Sequence, residues 1–143
     1  MTAEEIAATL GLEPHPEGGL YRQTWVAEAG PGERPAGTCI YFLLRAGERS
    51  HWHRVDAAEI WHFYAGAPLV LSLSETEAGP VAAHRLGPDL GSGEAPQRIV
   101  PKGWWQSARS TGEWTLVGCT VSPGFRFEGF TLAPPGFDIA GTP

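Results

Sequence analysis

The chain has 143 residues, the size of one domain spanning residues 1–143, and its 10 basic and 16 acidic side chains give a net charge of −6. That acidic balance excludes the basic surface that nucleic-acid binding requires. No apolar run approaches the roughly 20 residues of a membrane span, and the acidic N-terminus is not that of a signal peptide, so we expect no membrane partner and a cytoplasmic location.

The pattern of turns along the chain predicts one helix followed by many short strands. Thr2 and Glu5 have the spacing of a capping box, and Gly11 is a typical helix end. Two prolines around His15 then force an extended path into a strand over residues 19–26. Turn residues separate the later apolar runs, which predicts strands over residues 38–44, 69–74, 82–86, 97–100, 105–109, 114–121 and 127–132. This arrangement favours an all-β antiparallel sandwich or barrel with a short N-terminal helix.

A candidate site lies within residues 47–66, GERSHWHRVDAAEIWHFYAG. In an extended strand, His51 and His53 point to the same face, so their imidazoles are predicted to share one cavity. A turn over residues 54–58 would then bring Glu59, at the start of the next strand, beside the histidine pair. This is the geometry of a ligand site.

The same segment resembles the first motif of the cupin superfamily, in which a glycine and an HxH pair precede a glutamate and a second glycine. The second cupin motif is similar to Pro101 to Gln106, where Gln106 replaces the usual histidine. With PHPEGG, IYFLL and LVGCTVSPGF, the chain is identified as a member of the small single-domain bacterial cupins of the cupin type 5 group. The resemblance implies a jelly-roll β-barrel, similar to that of the dTDP-sugar 3,5-epimerases, in a group whose members mostly have no assigned activity.

The side chains His51, His53 and Glu59 are predicted to form a facial set of ligands for a divalent metal ion. Two imidazoles and one carboxylate suit Fe(II), Mn(II), Ni(II) or Zn(II) and leave positions open for substrate. Gln106 would stand at the position of the fourth cupin ligand, although a neutral amide oxygen binds such ions poorly. The alternative is a metal-free polar pocket in which Glu59 and a histidine hydrogen-bond to each other.

Aromatic residues near these positions are candidates for a ligand-binding wall. Trp61 and Phe63 share the inward face of Glu59, and Trp105 adjoins Gln106. These rings could stack on a sugar or another planar ligand, or they could simply fill the barrel.

The segment that follows the N-terminal helix supplies two further candidates. In cupins, the stretch equivalent to residues 15–22 lines the barrel mouth or crosses to a neighbouring subunit, which makes Tyr21 and Arg22 possible ligand contacts. His15 and Glu17 lie in the same stretch.

Two classes of function are consistent with the sequence. The first is an isomerase-like, epimerase-like or metal-dependent enzyme, in which His53 or Glu59 moves a proton beside a carbonyl group. The second is a module that binds or senses a small polar molecule without changing it. In both cases we expect a homodimer, because a barrel of this size leaves sheet edges and an apolar outer face exposed.

Overall fold

The computed structural model describes residues 1–143 and consists of two antiparallel sheets after one short helix. The elements are helix α1 (Ala3–Leu10) and strands β1 (Glu13–Pro14), β2 (Leu20–Val26), β3 (Thr38–Arg45), β4 (Arg49–Val55), β5 (Ala58–Gly66), β6 (Leu69–Ser74), β7 (Ala82–Leu86), β8 (Gln97–Val100), β9 (Trp105–Ser110), β10 (Trp114–Ser122) and β11 (Phe130–Leu132). The first sheet has the order β1-β2-β3-β10-β5-β8, and the second has the order β11-β4-β9-β6-β7. The predicted all-β jelly roll is confirmed.

Helix α1 forms as its sequence predicts. The Thr2 side chain accepts the backbone N–H of Glu5, the Glu5 carboxylate accepts that of Thr2, and Gly11 ends the helix in the left-handed conformation. Ile6 packs on Leu43 of β3, so the helix covers part of the outer face of the first sheet. No helix has the length and apolar character needed to cross a membrane.

The two sheets enclose an apolar core at one end of the barrel. Phe42 and Trp61 from the first sheet meet Leu69 and Leu71 from the second, and all four are almost completely buried. Burial of each such side chain stabilises the fold by roughly 1.5–3 kcal/mol. Strands β3, β5 and β10 continue past this core to the other end of the barrel, where their inward residues include Thr38, Ile40, Glu59 and Val121.

Most predicted strands are confirmed to within a few residues, including the hairpin of β6 and β7. The predicted strand over residues 127–132 is wrong in its first half, because Phe127–Gly129 forms a 3-10 helix before β11 begins. The C-terminal segment packs against the second sheet. Phe137 lies on Trp105, with ring centroids 5.5 Å apart, and Ile139 is buried.

Candidate functional site

A cavity of about 110 Å³ opens at this second end of the barrel, between the two sheets, and is lined by both polar and apolar side chains. Strand alternation places Thr38 and Ile40 of β3 in its wall, whereas Phe42 of the same strand faces the apolar core. The titratable side chains that line the cavity are His15, Glu17, Tyr21, His53, Glu59 and Cys119. No lysine or arginine contributes to the lining.

The segment before β2 delivers Glu17 into the barrel. The backbone N–H of His15 donates to the Gly19 carbonyl, and that of Gly18 donates to the His15 carbonyl, which folds the segment into a tight turn. The Glu17 carbonyl then accepts the backbone N–H of His51 at 2.7 Å. Gly18, at φ +105°, lies so close to β4 that a Cβ atom there would meet the carbonyl oxygen of Arg49 at 2.2 Å.

The buried carboxyl group of Glu17 lies between the hydroxyl group of Ser50 and two histidine rings. Ser50 Oγ donates a hydrogen bond to Glu17 Oε2. Glu17 Oε1 lies 3.3 Å from His15 Nδ1 and 3.6 Å from His53 Nε2. Burial raises the pKa of Glu17 to about 8, even though the Ser50 hydrogen bond opposes this shift.

Both histidine rings are neutral and present lone pairs to Glu17. His53 Nδ1 donates to the His51 carbonyl at 2.8 Å, which leaves Nε2 without a proton. His15 Nδ1 accepts the backbone N–H of Glu17 at 3.1 Å. Burial lowers the pKa of His15 to about 4 and also lowers that of His53. Since neither nitrogen facing Glu17 Oε1 carries a proton, these contacts are not ion pairs, and the raised pKa of Glu17 lets its carboxyl group hold a proton near neutral pH.

Glu59 is held at the end of a buried hydrogen-bond chain. The indole N–H of Trp61 donates to Gln106 Oε1 at 2.8 Å, and Gln106 Nε2 donates to Glu59 Oε1 at 2.9 Å. Since an indole N–H can only donate, it fixes which end of the Gln106 amide faces Glu59. Burial raises the pKa of Glu59 to about 7; nearby His53 opposes the shift, and the charge of Glu17 adds to it.

The prediction that His51 and His53 share one cavity is wrong. Strand β4 has a bulge between Ser50 and His53, where its pairing with β9 gains one residue. The extra residue breaks the alternation, so His51 turns outward and its Nε2 lies 3.0 Å from the Pro134 carbonyl oxygen. His53, after the bulge, faces the cavity beside Glu59.

The residues present do not fit the predicted metal set. His51 points away from the cavity, and Gln106 presents its N–H, a donor, toward Glu59 instead of an oxygen ligand. No group of three or more His, Cys, Asp or Glu side chains in the structure has the arrangement of a metal site. His53 and Glu59 remain together as a polar pair.

Of the residues predicted to contact a ligand, only Tyr21 lines the cavity. Arg22 points outward and donates to the Leu10 carbonyl at 3.1 Å. Trp61 and Phe63 pack in the apolar core, because it occupies the inward positions of β5 that follow Glu59. Trp105 lies in a separate cluster with Trp52, Ala133 and Ile139. At these positions the rings fill the barrel and pack in its clusters, which is the second of the two alternatives, and they do not form a wall of the cavity.

Other residues that the sequence did not single out complete the site. Phe125 and Phe127 line the cavity, and Phe127 remains 55% exposed, which places it at the mouth. The Cys119 thiol also lines the cavity, and burial raises its pKa. The position of Glu17 could have been suspected from the prolines and glycines of PHPEGG, because such a rigid segment can carry a polar side chain into a barrel.

The comparisons with known proteins agree with this architecture. The family model of the Cupin superfamily (DUF985) matches residues 4–133. Protein SO0799 from Shewanella oneidensis is 41% identical, with a TM-score of 0.87 over 93% of this chain and 85% of that chain. A hypothetical protein from Leishmania major is 30% identical, with a TM-score of 0.85 over 96% and 90% of the two chains.

A more distant similarity extends to a larger protein. Oxalate decarboxylase from Bacillus subtilis is 16% identical, with a TM-score of 0.64 over 83% of this chain and 29% of that chain. At this identity, the match shows the fold alone. No curated protein matches the chain.

Proposed function

This chain belongs to the cupin superfamily, in the family described as DUF985, and from that premise we propose that its barrel binds a small polar molecule and exchanges a proton with it. One observation carries the proposal: Glu17 Oε1 lies 3.6 Å from the unprotonated Nε2 of His53, inside a cavity that Glu59 also lines. A carboxyl group that holds a proton, a neutral imidazole and a second carboxyl group face the same small space. These groups are the components of acid/base catalysis.

The geometry supports an isomerase-like or epimerase-like reaction. Protonated Glu17 can donate to a substrate carbonyl oxygen, while His53 Nε2 or ionised Glu59 removes a proton from the adjacent carbon. The base then returns its proton to a neighbouring carbon, or to the opposite face, while Glu17 regains a proton from a hydroxyl group of the enol intermediate. The isomerisation therefore leaves no net change in protons. The raised pKa values of Glu17 and Glu59, about 8 and about 7, keep both protonation states accessible near neutral pH.

Metal-dependent chemistry has less support from the donor set. His51 and Gln106 do not present ligand atoms to the cavity, so we assign no step to Fe, Mn, Ni or Zn. We likewise infer no oxalate decarboxylase activity, because that protein shares only the fold with this chain.

Solvent deuterium exchange tests the proposal. The protein would be incubated in D2O with a panel of small hydroxy-carbonyl and amino-carbonyl compounds, and NMR would follow the replacement of C–H by C–D. We expect exchange with wild type and a loss of about 100-fold or more with His53→Gln. His51→Gln is the matched control, because that ring lies outside the cavity, and it should retain the wild-type rate.

The contrary outcomes are equally definite. Equal loss in His51→Gln and His53→Gln would contradict the assignment of the base. A ligand that binds in the cavity without any exchange of carbon-bound protons would establish the alternative function, a module that binds or senses a small molecule.

A further inference from the structure

The base of the cavity is rich in hydrogen-bond acceptors. Glu17 Oε1, His53 Nε2 and the carboxyl group of Glu59 all face it. The side chains of Tyr21, Gln23 and Thr38 also line the cavity and can donate, but none of them makes a hydrogen bond to these three groups. A ligand that carries N–H or O–H groups can therefore satisfy acceptors that the chain leaves open.

The chain supplies no cation to balance the two buried carboxyl groups. Arg22, the cationic neighbour of Tyr21 on β2, points outward to the Leu10 carbonyl. Arg34 and Arg126, from loops near the mouth, both bond to Asp56. Whenever either carboxyl group is ionised, a carboxylate or phosphate group beside it would meet like charge with no compensating partner, which disfavours anionic ligands.

Aromatic rings form the wall above these carboxyl groups. Tyr21, Phe125 and Phe127 line the cavity, and the two phenylalanine rings contact each other edge to face at 5.0 Å. Ring faces attract ammonium cations, and they do so more strongly where water is excluded. Buried carboxyl groups, aromatic walls and no lysine or arginine are together the composition of a pocket for a cationic group.

We infer that the ligand of this cavity carries a protonated amine, which Glu17 and Glu59 bind at the base while Tyr21, Phe125 and Phe127 surround its carbon atoms. The inference rests on the proposed function and names its substrate class as a small amino compound. A cavity of about 110 Å³ accommodates an ammonium group with a short carbon chain. Larger parts of a ligand would extend past the exposed Phe127.

A series of probes with equal size and different charge tests this inference. Propylammonium, propan-1-ol and propionate would be titrated into the wild-type protein at neutral pH, and NMR chemical shifts of residues around the cavity would give each affinity. We expect propylammonium to bind at least about tenfold more tightly than propan-1-ol, and propionate to bind most weakly.

Charge-removing variants identify the groups responsible. Glu17→Gln and Glu59→Gln should each lower the affinity for propylammonium by about tenfold or more while changing that for propan-1-ol by less than about threefold. Glu48→Gln is the control, because Glu48 pairs with Arg45 outside the cavity. The wild-type series remains decisive if either cavity variant fails to fold.

Several results would overturn the inference: equal affinities for propylammonium and propan-1-ol, tighter binding of propionate, or no binding of any probe. The deuterium experiment separates this failure from failure of the proposed function. A protein that exchanges deuterium into neutral hydroxy-carbonyl compounds, yet shows no preference for propylammonium, keeps the acid/base function and loses the amine assignment. A protein that prefers propylammonium, yet exchanges no deuterium into any compound, keeps the amine assignment and loses the acid/base function.

Discussion

At the scale of single residues, Glu17 and Glu59 couple the stability of the fold to pH. Both carboxyl groups have an ordinary pKa of 4.5, and burial raises these values to about 8 and about 7 in the folded protein. The folded state therefore holds protons that the unfolded chain has lost, and stability decreases as pH rises through this interval. His15, whose pKa falls from 6.5 to about 4, has the opposite effect, but only below pH 6.5.

The clearest prediction is consequently for the interval between pH 6.5 and pH 8, the range bounded by the ordinary pKa of His15 and the raised pKa of Glu17. We expect the free energy of unfolding to fall across it, by up to about 1.4 kcal/mol per pH unit for each carboxyl group that stays protonated. Urea unfolding at several pH values measures this slope.

Matched substitutions locate the source of that slope. Glu17→Gln removes one titrating group and should flatten the pH dependence, whereas Glu48→Gln should leave it unchanged. Arg45 keeps the pKa of Glu48 below its ordinary value, so that group is ionised throughout the interval. A slope that survives in the double variant Glu17→Gln, Glu59→Gln would show that other groups are responsible.

At the scale of elements, most strands could be predicted because local signals determine them. Alternation on β5 correctly places Glu59 and Trp61 on the inward face, and turn residues mark most strand ends. The bulge in β4 could not be predicted in this way. It depends on how β4 pairs with β9, a contact between segments distant in sequence, and it reverses the orientation of His51.

The separation of the barrel interior into an apolar core and a cavity could not be predicted from local sequence either. By alternation, Trp61 should line the cavity, but the apolar core occupies that part of β5. The Trp61 indole N–H donates a hydrogen bond to Gln106 instead of facing a ligand. The resemblance to cupins gave the fold. Gln106 in place of the usual histidine indicated that the site differs from that of other cupins. Glu17, which lines the cavity, lies in a segment outside both motifs and could not be predicted from them.

The turn before β2 makes a testable contribution to the site. Gly18 adopts φ +105° and has no space for a Cβ atom beside the Arg49 carbonyl oxygen, at 2.2 Å. We expect Gly18→Ala to displace the segment that carries Glu17 and to lower stability by about 1–3 kcal/mol. Chemical unfolding and probe titration measure the two effects.

A second glycine provides the control for that experiment. Gly32 also has a positive φ, +74°, but a Cβ atom there would meet nothing within 4 Å. Gly32→Ala therefore reports the backbone strain alone and should leave binding unchanged. Identical stability losses and unchanged binding in both variants would contradict the view that close docking of Gly18 positions the carboxyl group.

At the scale of the whole molecule, the outer face of the first sheet presents a patch without charged side chains. The pairing registers align one row of residues across five strands, which we call the outer row: Trp25, Cys39, Thr120, Ile60 and Ile99. Trp25 is 55% exposed and Ile99 is 64% exposed, and Tyr64 beside the row is 48% exposed. Helix α1 covers only the neighbouring part of the face, around Leu43.

We propose that a second copy of the chain covers the outer row and forms the expected homodimer. The net charge of −6 makes two copies repel over most of their surfaces, so an uncharged face is where they can approach. A two-fold axis through such a face pairs the patch with itself, which requires no second complementary surface. Apolar side chains left open on a monomer favour the same contact.

Light scattering of the purified protein tests the dimer, which should have twice the chain mass of 15.3 kDa. Ile99→Lys would place a charge within the contact, at the β8 end of the outer row, so we expect it to shift the population toward monomer by about tenfold or more in dissociation constant. Leu90→Lys is the control, because Leu90 is 69% exposed but lies in the 3-10 helix Leu90–Ser92, outside the outer row. A wild-type mass that stays at one chain across concentrations, or equal dissociation by both variants, would show that the outer row is not the interface.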